Sequence, residues 1–163
     1  MSKIIDIGRA IKLGKKFRMM GKIVVLAGGC FDVLHMGHVK FLEAAKKRGN
    51  VLLVFVESDE KVRKIKKGNR PINSQVERAE VLSSIRFVDY VIKIPFFDNN
   101  DKYDRLVSSL KPSIIAVTKE SEAIKHAKRQ AKLIGARIAE VIGRIPDQST
   151  SKIAKIISDE NKL

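Results

Sequence analysis

Between positions 28 and 38 the chain reads Gly28-Gly29-Cys30-Phe31-Asp32-Val33-Leu34-His35-Met36-Gly37-His38. The two leading glycines let backbone N–H groups approach a ligand closely. His35 and His38 are three positions apart, so their imidazoles fall on one side of a helical turn. A helix starting near Met36 offers unpaired N–H donors and a partial positive charge at its first turn, an anion site. Gly37 removes a side chain where a nucleotide could pack. The chemistry this favours is the holding and neutralising of a phosphate chain. Two histidines at this spacing could also ligate a metal, but no third histidine accompanies them and no protein metal site is expected. The remaining histidine, His126, is isolated in a charged stretch and reads as an ordinary surface residue.

Such a loop must be presented by a rigid scaffold. KIVVLAGG (22–29) is a short apolar run ending in glycines, as in a strand buried on both faces. The stretch after it carries Val39, Leu42 and Ala45 at helical spacing and stops at Gly49. VLLVFVESD (51–59) is a second buried strand. A charged helix over 59–67 leads into the loop KKGNRPIN. Ser74 caps a helix over 74–86 with Val76, Ala79, Leu82 and Ile85 on one stripe. VDYVIKI, SIIAV and ARIAEVIG supply three more strands, alternating with helices over 101–110 and 120–134. A last helix begins near Ser149. Five strand–helix alternations predict a parallel α/β sheet with helices on both faces. In such sheets ligands sit beyond the carboxyl ends of the strands, which is where the 28–38 segment lies. Residues 1–20 carry Ile4, Ile7 and Ile11 at helical spacing. They read as a basic helical extension covering one edge of a domain over 21–163, though Gly8 and Gly14 weaken a continuous helix.

Composition narrows the class. The 163 residues hold 33 Lys+Arg against 18 Asp+Glu, a formal charge of +15, and 44% are hydrophobic. That apolar share is enough for a core and argues against a disordered basic tail. A single cysteine excludes a disulfide framework and a four-cysteine zinc site. No apolar run reaches the roughly 18–20 residues of a membrane span, and the N-terminus lacks a signal-peptide apolar region; a cytoplasmic protein is expected. The charge points to an anionic partner. Nucleic acid is the bland candidate, but the basic residues spread over every helix and do not interleave with aromatics as stacking platforms do.

GCFDVLHMGH resembles the signature of the HxGH nucleotidyltransferases, which include small cytidylyltransferases and adenylyltransferases. Arg78 in Val76-Glu77-Arg78 is similar to the family's E-x-R helix motif. Lys67-Gly68 followed by Arg70-Pro71-Ile72 resembles its lysine-bearing loop. RIPDQSTS (144–151) resembles its R-T-x-G-I-S-T-T segment, keeping Arg144, Ser149 and Thr150. The resemblance covers about residues 20–158. It implies a Rossmann-like parallel five-stranded sheet and nucleotidyl transfer from an NTP to a phosphorylated small molecule, with release of pyrophosphate. It further implies that His35, His38, Lys67 and Arg144 are catalytic. Gly28, Gly29, Cys30, Phe31, Asp32, Gly37, Thr118, Ser149 and Thr150 would bind the nucleotide, and Arg78, Arg70 and Lys64 the acceptor. Lys64, Lys66 and Lys67 fit a solvated charged face equally well. Mg²⁺ is expected with the nucleotide. A homodimer is expected too, since the VDYV region (88–91) resembles a dimer edge.

Three subfamilies compete for the acceptor. NRPINSQVERAEVLSSIRFVDYV and the GGCFDVLHMGHVKFLEAA opening resemble heptose-1-phosphate adenylyltransferases. KPSIIA and STSKI resemble archaeal FAD synthases, and the R-x₄-S-T segment resembles glycerol-3-phosphate cytidylyltransferases. One departure alters the base pocket: the usual G-x-D stretch is replaced by Thr118-Lys119-Glu120-Ser121. ATP is favoured over CTP. A flavin acceptor is disfavoured, because the chain has seven Phe, two Tyr and no Trp.

Overall fold

The computed structural model describes residues 2–66, 69–143, 145, 150, 152 and 153. Six parallel strands form one sheet: β1 (Ile4–Ile5), β2 (Val24–Gly29), β3 (Val51–Val56), β4 (Tyr90–Lys93), β5 (Ile114–Thr118) and β6 (Arg137–Ile142). Their spatial order is β1-β4-β3-β2-β5-β6. Between them run helices α1 (Ile7–Met19), α2 (Met36–Lys46), α3 (Asp59–Ile65), α4 (Gln75–Ser83), α5 (Asn100–Leu110) and α6 (Ala123–Ile134). All six residues of β3 are buried, as its unbroken apolar run requires of a central strand. Side chains alternate across the sheet. Leu53 and Phe55 join the core under α1, α5 and α6. Leu52, Val54 and Val56 join the core under α2 and α4.

The sixth strand departs from the expectation for residues 1–20. Ile4 and Ile5 pair with Val91 and Ile92 of β4. The helix begins only after Asp6, whose carboxylate caps it by accepting from the Arg9 amide at 2.8 Å. A two-residue strand has no period to read, and its isoleucines fit the helical stripe by coincidence. The helix itself is continuous through Gly14. A Cβ there would lie 2.9 Å from the Leu110 carbonyl oxygen, so glycine is what lets α1 lie against α5. Arg18 clamps the same place by donating to the carbonyls of Leu110 and Lys111. The same strand covers β4, which therefore has neighbours on both sides. Among the described residues no helix is long and apolar enough to cross a membrane.

Strand order reverses at β2. The chain moves from β2 to β3 and β4 on one side, then returns to place β5 and β6 on the other. The crevice beyond the carboxyl ends of β2 and β5 is therefore the switch point where ligands bind in open α/β sheets. The 28–38 segment leaves β2 there.

Candidate active site

β2 ends at Gly29, and the chain turns through Phe31, whose φ is +48°. Few non-glycine residues adopt that region. Burial of the Phe31 ring holds the turn, and a Cβ on Gly29 would lie only 3.1 Å from that ring. Glycine at 29 thus leaves room for the loop to fold closely over its own phenylalanine. Phe31 in turn supports His38, with ring centroids 5.2 Å apart.

His35 stands at the N-cap of α2 in extended conformation, and its side chain makes no capping bond. His38 lies in the first turn, and the two imidazoles stack with centroids 3.9 Å apart. Both Nδ1 atoms are buried and have no hydrogen-bond partner among the described residues. A buried polar atom without a partner is costly unless a ligand supplies one. The pKa of His38 is drawn down to about 4, first by burial, then by His35, against the opposing Val33 carbonyl. Burial also lowers that of His35. The pair is neutral at pH 7, so each ring keeps one N–H, and the uncapped turn of α2 adds free amides that can receive an anion. Thr150 closes over the same loop, its hydroxyl donating to the Val33 carbonyl at 3.2 Å.

Asp32 faces inward rather than toward the crevice. It is 2% exposed and accepts from the amides of Ile72 and Asn73 and from the Arg70 guanidinium. Asn73 returns a bond from its side-chain amide to the Asp32 carbonyl at 2.7 Å. Desolvation alone would raise the Asp32 pKa, but these amide and guanidinium donors outweigh it and hold the carboxyl below its ordinary value. Asp32 is therefore the latch that ties the 70–73 loop to the signature. Arg70, expected at the acceptor, is committed to that latch. Arg78, which the resemblance expects to bind the acceptor phosphate or to stabilise the site, is likewise drawn into the loops. It is 2% exposed and donates to the carbonyls of Asn73, Cys30 and Glu57 and to the Asp59 carboxylate. Its guanidinium ties three loops together.

Lys64 is exposed on the last turn of α3, 3.8 Å from Glu60 and 4.1 Å from the centroid of the Phe96 ring. Thr118 ends β5 across the crevice from the signature loop, paired with Ile142. Cys30 is half-buried, and burial raises its pKa. Lys67, Arg144 and Ser149 lie outside the described residues, as does most of the C-terminal helix expected from Ser149. Two residues emerge that the sequence did not single out, Glu57 and Tyr103, and Lys66, read as part of a solvated face, is drawn toward the site. The charge of Lys66 reaches both Cys30 and His38. Glu57 sits directly after β3 and accepts from the Tyr103 hydroxyl at 2.7 Å. Only the position of Glu57 at a strand's carboxyl end could have flagged it.

The switch-point loop, the unpartnered histidine pair and the uncapped α2 form one phosphate-directed constellation. The cytidylyltransferase-like family matches residues 26–157, which contain all of it. The chain belongs to that family. Among curated proteins, the bifunctional protein HldE of Aliarcobacter butzleri is 35% identical over 155 residues, covering 93% of this chain and 30% of that protein. The HldE of Nitratiruptor is 44% identical over 103 residues, covering 63% of this chain and 21% of its own length. The chain thus spans about a third or less of these relatives. Among solved structures, a lipopolysaccharide core biosynthesis protein from Thermoplasma volcanium is 30% identical with a TM-score of 0.60, covering 79% of this chain and all of that one. Pantoate-beta-alanine ligase from Francisella tularensis, 13% identical with a TM-score of 0.63 over 100% of this chain and 79% of its own, shares the fold.

Proposed function

We propose that the chain transfers the nucleoside monophosphate of an NTP, ATP foremost, to the phosphate of a sugar or polyol phosphate such as heptose 1-phosphate. An acceptor phosphate oxygen attacks the α-phosphorus, the bond to the β-phosphate breaks, and pyrophosphate leaves. Phosphate oxygens are ionised near pH 7, so no general base is needed. Catalysis then rests on positioning and on charge neutralisation. The carrying observation is the pair of buried, unpartnered Nδ1 atoms of His35 and His38 at the uncapped N-terminus of α2. Neutral imidazoles donate to the triphosphate there, and the helix end adds partial positive charge. Lys67, Arg144 and Ser149 belong to this reading through their motifs, as phosphate contacts.

Among the described residues no three metal-ligating side chains converge. Mg²⁺ enters this reading on the nucleotide's own oxygens, where it would neutralise phosphate charge. The similarity to HldE proteins and to a lipopolysaccharide core biosynthesis protein supports a sugar phosphate acceptor. The altered stretch Thr118–Ser121 keeps CTP as the competing donor. The test is a pyrophosphate-release screen crossing ATP, CTP, GTP and UTP with heptose 1-phosphate, glycerol 3-phosphate, phosphocholine, phosphoethanolamine and FMN. Turnover of ATP with the sugar phosphate supports the reading. Turnover only with FMN or an amino-alcohol phosphate overturns it.

A further inference from the structure

On the β4 side of the signature loop lies a cluster that the phosphate chemistry leaves unused. Glu57 is fixed at both backbone ends. Its amide donates to the Gly29 carbonyl at 3.1 Å, and its carbonyl accepts from Arg78 at 2.8 Å. Tyr103 of α5 donates to one carboxylate oxygen at 2.7 Å. Phe97 braces Tyr103 edge-on, with centroids 4.9 Å apart and ring planes at 86°. The Lys61 ammonium lies over the Tyr103 ring, 5.3 Å from its centroid. The side chain of Gln75 bridges the last carbonyls of this edge, Val56 and Ile94, and closes the sheet beneath. The other Glu57 oxygen accepts no hydrogen bond among the described residues.

We propose that Glu57, oriented by Tyr103, is a specificity-determining residue that accepts hydrogen bonds from the hydroxyl groups of a sugar or polyol phosphate acceptor. This deepens the nucleotidyl-transfer reading and rests on it. A carboxylate only accepts hydrogen bonds when ionised, so it selects ligands that donate. Hydroxyls do so. Burial raises the Glu57 pKa while Lys61 and Arg78 oppose the rise, which marks a carboxylate withdrawn from water yet held among cations. An alkylammonium acceptor would also suit a carboxylate beside aromatics, but Lys61 already occupies the Tyr103 face and would repel it. A planar flavin needs a flat stacking platform, and Phe97 and Tyr103 meet at right angles.

The experiment is steady-state pyrophosphate release by the full chain with sugar 1-phosphates and glycerol 3-phosphate, comparing wild type with Glu57→Gln, Glu57→Ala and Tyr103→Phe. Removing this charged acceptor from a largely buried position is expected to raise the acceptor KM about 10-fold or more in both Glu57 variants. The KM for nucleotide stays unchanged. An acceptor lacking the recognised hydroxyl loses its dependence on Glu57. Tyr103→Phe, which only frees the carboxylate, raises the acceptor KM less. Glu57→Gln keeps a partner for Tyr103, so the test survives a folding failure of the alanine variant. Unaltered acceptor KM in an active Glu57→Gln, or equal changes in both KM values, overturns the inference while the reaction stands. Glu57-dependent turnover of phosphocholine or phosphoethanolamine also overturns it. A wild type inactive with every hydroxylated acceptor overturns both the inference and the reaction class it rests on.

Discussion

The imidazoles of His35 and His38 stack 3.9 Å apart at the start of α2, and each keeps a buried Nδ1 with no partner among the described residues. His35 helps keep the His38 ring neutral, because a charge on one imidazole disfavours charge on its neighbour. The two therefore act as one donor pair. Removing either leaves the other without its stacking partner and the phosphate chain with one donor fewer. His35→Ala and His38→Ala are each expected to slow pyrophosphate release by about 10²-fold or more, the scale of losing one preorganised donor. The double variant loses much less than the product of the two single effects, since the pair works as a unit. Near-wild-type turnover in both single variants would remove the histidines from the mechanism.

The same burial makes folding sensitive to pH. His38 titrates near 4 in the folded chain against 6.5 for an ordinary histidine. Between those values the unfolded chain binds a proton that the folded chain refuses, so stability rises with pH. The contribution is complete above about pH 6.5 and is lost as pH falls toward 4. Its ceiling is about 3 kcal/mol. Urea unfolding at pH 7.5, 6 and 5 should show this decline, and His38→Gln should flatten it over the same window. An equal slope in wild type and variant would show that His38 is not its source.

Contiguous features were legible in the sequence, and features assembled by the fold were not. The strands at 24–29, 51–56 and 114–118 appear as apolar runs because both faces are covered. The signature is legible because its glycines and histidines lie within eleven positions. By contrast, β1 is two residues long, and only its pairing with Val91 and Ile92 defines it. Arg78 is recognisable as part of a motif, but where its guanidinium points depends on three carbonyls from three loops. A glutamate after a strand normally reads as solvated, and it takes Tyr103, 46 positions away, to show that Glu57 is not.

The Asp32–Arg70 pair carries a stability prediction. Both side chains are almost wholly buried, at 0% and 9% exposure. Breaking such a pair from one side leaves an uncompensated charge, at a cost of about 3–5 kcal/mol. Asp32→Asn should therefore lower the melting temperature by roughly 10 °C in a chain of this size. It should also loosen the 70–73 loop, whose two amides lose a charged acceptor. Asp32→Asn combined with Arg70→Met should recover part of the loss, because no lone guanidinium stays buried. A double variant less stable than Asp32→Asn would mean that Arg70 has a second, independent partner.

Arg78 separates positioning from acceptor binding. Its Nε and both terminal nitrogens are already bonded, to Asn73, Cys30, Glu57 and Asp59. Lysine cannot reproduce that fork from one ammonium. Arg78→Lys should thus destabilise the chain by several kcal/mol, since it strands buried carbonyls at the roots of the signature loop and of the α3 loop. Its kinetic effect should fall on both substrates: the Cys30 carbonyl belongs to the nucleotide side, and the Glu57 carbonyl to the proposed acceptor side. Parallel measurement of melting temperature and of both KM values decides the matter. A variant with wild-type melting behaviour and a raised KM for the acceptor alone would return Arg78 to direct acceptor contact. A fall in stability with both KM values raised fits a strut that ties the ends of β2 and β3 to the start of α4.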